Sequence, residues 1–423
     1  MCICLECGGG IMDKKQKMSL WALSSVPLVM TLGNSMLIPV LPKIEKQLGI
    51  TGFKVSMIIT VYSIFAILLI PIAGYLSDKW GRKKVIIPSL LIAGLGGVLT
   101  GWASWKMENP FIWIIIGRII QGIGSAGAMP VVIPCVGDMF KDEKEVSCGL
   151  GLVETSNTFG KVLSPILGSI LASFIWFLPF FAIPILCAIA IILILIFVKQ
   201  PKQMKKQKVK SVKKFVRSVK KILRQNGRWL YTIFILGAII MFILFGMLFY
   251  LSSLLENRYQ IHGVMKGLVL AIPLAALSFT SYVTGKKIGD QKTVMKRCIY
   301  IGFIIVSLSF LIPLFSKNIF LLILNLILCG IGIGLSLPSL DSLVTEGIEK
   351  EERGTITSLY SSLRFVGVAA GPPAFAFLMK GPDNYMMILS LILGIIGAFI
   401  TIKYINPKDK EEAVTHPKQV KHR

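Results

Sequence analysis

The chain has 423 residues, of which 54% are hydrophobic and only 16% charged, with a mean hydropathy of +0.74. A soluble domain carries roughly 25% charged residues, and a water-soluble globule of this composition is excluded by the apolar surface it would expose. The net charge of +25 is concentrated between long apolar runs, the pattern of a membrane-orientation signal and not of a nucleic-acid face.

The chain opens on MCICLECGGG, with Cys2, Cys4 and Cys7 on a Gly-rich stretch. Three thiols there make no closed ligand set, so no metal is expected. Met12, followed by Asp-Lys-Lys-Gln-Lys, is a more ordinary start for a membrane protein, and residues 1–18 read as a cytoplasmic leader. No cleavable signal is expected, because the first apolar run is too long. Cys135, Cys148, Cys187, Cys298 and Cys329 lie in or beside apolar runs and read as small buried residues.

A helix needs about twenty apolar residues to cross the hydrocarbon core. Spans are predicted near 20–42, 54–75, 85–104, 111–135, 147–172 and 174–198, then near 229–252, 264–285, 294–315, 318–340, 354–378 and 384–405. The predicted fold is all-α and membrane-integral, with one bundle at 19–198, a linker at 199–228, a second bundle at 229–405 and a tail at 406–423. The linker holds thirteen Lys or Arg and no acid. Val212, Phe215, Val216, Val219 and Ile222 fall there at helical spacing, the pattern of a helix lying on anionic lipid. With the N-terminus inside, the inner segments carry 35 Lys or Arg and the outer loops 8. Both termini are therefore expected in the cytoplasm.

The two halves repeat. Gly122, Gly124 and Pro130 correspond to Gly330, Gly332 and Pro338 at an offset of 208, and Gly160 and Pro165 to Gly367 and Pro372 at an offset of 207. Duplicated halves with Gly- and Pro-interrupted helices suit a protein that rocks about a central site.

The segment Gly74-Tyr-Leu-Ser-Asp78-Lys-Trp-Gly81-Arg82-Lys83-Lys84 lies between the second and third spans. Gly74 is expected to permit close helix contact, Asp78 to accept hydrogen bonds, Gly81 to make the turn, and Arg82 with its neighbours to stay at the inner surface. This segment resembles the signature loop of the major facilitator superfamily. Leu32-Gly33 with Pro39-Val-Leu-Pro42 resembles the first-helix motif of its twelve-helix drug:proton antiporters, and Arg118-Ile-Ile-Gln121-Gly-Ile-Gly124-Ser-Ala126 their fourth-helix motif, whose Arg is implicated in proton coupling. Gly151, Gly160, Pro165 and Gly168 match the spacing of the antiporter motif in the fifth helix, with Ser164 and Ser169 where that motif has Pro- and Gly-paired residues. The resemblance implies the major facilitator fold: twelve transmembrane helices in two six-helix bundles related by a pseudo-two-fold axis. Gly151, Gly160, Pro165, Gly367, Gly371 and Pro372 are expected to serve helix packing and kinking.

Four charges are read inside spans: Arg118, Glu154, Lys161 and Arg364. Each costs roughly 2.5–3.5 kcal/mol at a helix centre, so they are expected on the cavity or paired with one another. Glu154 and Lys161 share a helix face about 10 Å apart, with Asn157 between them. Glu154, read as the only deep acid and nearer the cytoplasm, is the candidate proton carrier; Lys161 near mid-membrane and Arg118 in the outer half of its span are the other proton-coupling candidates. Asn34, Asn157, Lys161, Arg364, Tyr62 and Tyr360 are candidates for the substrate cavity. Three cations against one acid favour a neutral or anionic amphiphile.

No enzyme signature or ATP-binding loop is present in the sequence, so an ion gradient is the expected energy source. The leading expectation is a proton-coupled exporter of small amphiphilic or drug-like molecules, monomeric, without cofactor, in a bacterial cell membrane. Alternatives are an exporter or flippase for an anionic lipid or siderophore-like metabolite, an uptake symporter, and a non-transporting sensor.

Overall fold

The computed structural model describes residues 13–140, 143–198, 227–288, 291–311, 314, 318–346, 350–382 and 384–405. The Cys-rich leader, nearly all of the basic linker and the tail lie outside these residues. Among the described residues the chain forms twelve long helices: α1 (Lys14–Ser35), α2 (Gly52–Trp80), α3 (Arg82–Lys106), α4 (Phe111–Met139), α5 (Glu143–Phe174), α6 (Leu178–Phe197), α7 (Gly227–Asn257), α8 (Gly263–Ile288), α9 (Lys292–Ser309), α10 (Ile319–Glu346), α11 (Lys350–Leu378) and α12 (Asn384–Tyr404).

Most of these helices are apolar on all sides, as a bilayer requires when every backbone group must be bonded internally. Leu68, Ile112, Phe174 and Phe320 stand on the outside, where lipid tails would cover them. Nine of the described helices are long and apolar enough to cross a membrane; α5, α9 and α11 fall short. The shortfall has a cause in α5 and α11, which carry Glu154, Asn157, Lys161 and Arg364.

The first predicted span, 20–42, is not one helix. α1 stops at Ser35, a 3-10 turn follows at Ile38–Val40, and a short helix runs over Leu41–Leu48 to Gly49 at φ +60°. Pro39 and Pro42 cause the break, since neither has an N–H to continue the ladder. Thr51 then caps α2, accepting from the Lys54 amide at 3.3 Å.

The packing repeats between the halves. α1 lies on α5, α2 on α4, α3 on α4 and α6; in the second half α7 lies on α11, α8 on α10, α9 on α10 and α12. The two six-helix bundles meet through α2 against α11 and α5 against α8, which are exchanged by the pseudo-two-fold axis. The repeated glycines do repeated work. A Cβ on Gly122 would stand 2.4 Å from the Tyr62 carbonyl of α2, and one on Gly330 2.4 Å from the Pro273 carbonyl of α8. Small residues at these crossings let the backbones touch.

Candidate functional site

Arg118 on α4 is completely buried. Its Nε donates to the Ile58 carbonyl of α2 at 2.8 Å and its Nη2 to Asn34 Oδ1 of α1 at 2.7 Å; Nη1 donates to Gln121 Oε1 one turn along. The guanidinium also lies 4.4 Å from the ring centre of Tyr62. A guanidinium fork can satisfy several oxygens at once, and here amide and carbonyl oxygens take the place of a carboxylate. Asn34 and Tyr62, expected on the substrate cavity, thus hold Arg118 inside the first bundle and are not among the residues that line the central cleft.

That cleft lies between the bundles. In this conformation it is narrow, with a volume of only about 10 Å³, and Ser35 and Ile38, Lys161, Ser164 and Pro165 of α5, Leu244, Phe245 and Leu248 of α7, and Leu270 and Leu274 of α8 line it. Its walls are apolar apart from the two serines and the Lys161 ammonium, which is 9% exposed. On the same helix, Asn157 donates to Glu154 at 3.2 and 3.3 Å and accepts from Thr31 of α1 at 2.6 Å. Asn157 therefore bridges α1 and α5 and orients the Glu154 carboxylate, which is exposed.

Arg364 of α11 faces this region from the other bundle. It pairs with Asp341 of α10, with Nη1 3.1 Å from Oδ1. Its guanidinium lies 5.5 Å from the Tyr360 ring centre, and Tyr360 stacks on Phe234 of α7 at 6.2 Å. Gly237 of α7 makes room for both side chains, since a Cβ there would meet the Tyr360 ring at 2.7 Å and Arg364 Cγ at 3.2 Å. Lys161 is within electrostatic range of Glu154, Arg364 and Asp341. Glu154 is thus not the only deep acid. The predicted span ended at residue 340, whereas α10 continues through Asp341 to Glu346. Two acids face two cations here, so the three-to-one balance from which a neutral or anionic amphiphile was favoured does not hold at this site.

A second pair was also missed. Lys266 of α8 is almost wholly buried and reaches Glu256 of α7 at 3.0 Å. It also donates to the Pro39 carbonyl at 2.7 Å. Ser252 donates to the Ile38 carbonyl at 2.9 Å. His262 and Lys46 lie 3.1 and 3.8 Å from the same Glu256 carboxylate. Here α7 and α8 clasp the break after α1 and seal the cleft at one end.

At the opposite end, the loop after α2 turns at Gly81, whose φ is +101°. Arg82 contacts Asp78 one turn back, donates to Ser77 Oγ at 2.7 Å and reaches Asp138 of α4 at 2.9 Å. The glycine expectations divide. A Cβ on Gly168 would stand 2.0 Å from the Met36 carbonyl, on Gly367 2.1 Å from the Ala238 carbonyl and on Gly371 2.6 Å from the Phe242 carbonyl, while one on Gly160 would meet α1 at 3.3 Å. A Cβ on Gly151 would meet nothing, and one on Gly74 only Ser358 Oγ at 3.8 Å. Close packing at Gly151 and Gly74 is therefore absent in this conformation. Pro165 and Pro372 lie within α5 and α11.

Comparison with known proteins agrees with this architecture. The Major Facilitator Superfamily profile matches residues 23–372 and, a second time, 295–422. The chain is 56% identical over 392 residues to the bacillibactin exporter of Bacillus subtilis, covering 92% of this chain and 97% of that one. It is 24% identical to Multidrug resistance protein 2 of the same organism, over 95% and 98% of the two chains. Among solved structures it resembles a bacterial homologue of the human lysosomal transporter Spinster, at TM-score 0.72 and 14% identity, covering 93% and 97% of the chains. With the profile matched across most of its length and its two bundles meeting at a central cleft, this chain belongs to the Major Facilitator Superfamily and is a membrane-embedded transporter.

Proposed function

We propose that this chain exports a siderophore of the bacillibactin type, driven by protons moving inward. The observation that carries the reading is the 56% identity to a bacillibactin exporter along nearly the whole of both chains. An exporter of a bulky amphiphile needs an apolar cleft with a few polar anchors between its bundles; Lys161 and Ser164 on the cleft wall supply such anchors, with the Asp341–Arg364 pair of the other bundle within electrostatic range of Lys161. The excess of Lys and Arg, 35 against 8, supports an orientation with the Arg82 end and both termini in the cytoplasm of a bacterial cell. The clasp between Lys266 and Pro39 then closes the outer side.

Glu154 is the proposed proton carrier on the first bundle. It is reachable by water and steered by Asn157 toward the bundle interface. Transport by Glu154→Gln tests the assignment: the variant should bind substrate and lose export driven by a pH gradient. Full gradient-driven export by that variant removes Glu154 as the carrier.

A broader reading, export of drug-like amphiphiles, draws on the full-length similarity to Multidrug resistance protein 2 and on the apolar cleft walls. Competition assays separate the two: bacillibactin transport that hydrophobic dyes do not inhibit supports the narrow reading.

A further inference from the structure

We propose that the recess between the start of α3 and the end of α6 binds one anionic phospholipid, with its phosphate on Lys84 and Lys83 and its chain on the apolar wall beyond them. The site is independent of which molecule the protein carries.

The recess has a volume of about 710 Å³ and opens to the surroundings. Lys83, Lys84, Ile87 and Pro88 of α3 form one side, and Leu195, Ile196 and Val198 at the end of α6 form the other. Among the described residues no acid lines it. The ammonium of Lys83 donates to the Val198 carbonyl at 2.7 Å and to the Leu195 carbonyl at 3.3 Å. These lie where α6 has no further N–H to offer its last carbonyls, so Lys83 ties α3 to α6. One of its three N–H donors is left over. Lys84 is exposed and makes no hydrogen bond or ion pair among the described residues. The carboxylates of this end, Asp78 and Asp138, are taken by Arg82.

The order of groups along α3 is that of a phospholipid. Ile87 and Pro88 follow Lys83 and Lys84 by four residues, so the apolar pair stands over the cations about one turn, 5.4 Å, further into the span. Across the recess, Leu195 and Ile196 are 55% and 63% exposed. A phosphate at the level of the lysines therefore comes with an apolar wall for the chain attached to it, and basic recesses between membrane helices recognise anionic head groups in this way. A free phosphate would use the lysines and gain nothing from the wall. Residues 199–228, which follow Val198, carry thirteen Lys or Arg and no acid, so they offer these cations no counter-ion. The bound phosphate adds to the tie that Lys83 already makes, and a ligand that binds the folded state raises its stability.

The test is the melting temperature of the purified full chain in neutral detergent, titrated with phosphatidylglycerol, with phosphatidylcholine of the same chains, and with inorganic phosphate. Phosphatidylglycerol should raise it along a saturating curve, and the other two should leave it unchanged. Lys84→Gln alters an exposed side chain without a partner, so the variant should fold, and its half-saturating content of phosphatidylglycerol should rise about fivefold. Removing two charges from the linker, with Lys213→Gln and Lys214→Gln together, should leave the curve in place. A flat curve in the wild type, an unshifted curve in Lys84→Gln, or an equal shift in the linker variant overturns the proposal. An equal rise with inorganic phosphate overturns the lipid in favour of a free anion, and an equal rise with phosphatidylcholine overturns the role of charge.

Discussion

Lys266 of α8 donates to the carbonyl of Pro39 across the two bundles at 2.7 Å, and the same ammonium neutralises Glu256 at 3.0 Å. One side chain thus ties the break after α1 to the second bundle. The carbonyl is available because the prolines interrupt the helix, and the cation tolerates burial because Glu256 offsets it. Removing one member of a buried pair costs about 3–5 kcal/mol, most of it from the charge left behind. Lys266→Met should therefore open this end. The readout is labelling of a cysteine placed at Ser35, inside the cleft, by an impermeant thiol reagent from outside the cell. Labelling should rise in Lys266→Met and fall back when Glu256→Gln is added. Equal labelling in all three backgrounds would contradict the clasp.

Arg118 is a different kind of buried cation. Its oxygens come from Ile58, Asn34 and Gln121 on three helices. A lysine cannot reach them together, and buried acceptors left unsatisfied cost about 1–3 kcal/mol each. Arg118→Lys should lower the unfolding temperature in detergent markedly, whether or not substrate is present. A wild-type melting curve would show that the node does not hold α1, α2 and α4.

The glycines of α5 are expected to differ in tolerance although they belong to one sequence motif. Gly168→Ala forces a methyl group against the Met36 carbonyl, whereas Gly151→Ala enters open space. The first should impair both folding yield and transport; the second should leave yield unchanged and, by lowering helix entropy cost, stabilise by up to about 1 kcal/mol. Expression and melting temperature of the two variants check this directly.

Arg82 and Asp138 form a half-exposed pair at the opposite end, and such pairs contribute at most about 1 kcal/mol. Asp138→Asn should accordingly leave the melting temperature within a few degrees of wild type. If the loop controls the exchange between conformations, the same variant slows turnover several-fold without changing substrate affinity. Unaltered turnover would assign the pair a purely structural part.

The spans were legible because a bilayer demands about twenty apolar residues per helix, and the repeat because Gly and Pro recur where backbones cross. The site was only half legible. Asp341 and Glu256 lie just beyond the predicted ends of their apolar runs, and a hydropathy boundary stops at a charge even when the helix does not. Their partners stand 23 and 10 residues away, too far for any local pattern. Asn34 and Tyr62 were assigned to the cleft by polarity and aromaticity alone; which helix face meets Arg118 is decided by packing between α1, α2 and α4. Asp138, the partner of Arg82, had no signal beyond its sign.

The proposed drive of export by inward proton flow is tested most directly in inverted membrane vesicles containing the protein, energised to hold a pH gradient. Addition of bacillibactin should dissipate part of that gradient, and the dissipation should vanish in vesicles carrying Glu154→Gln. Uptake of bacillibactin that leaves the pH gradient unchanged would contradict the claim.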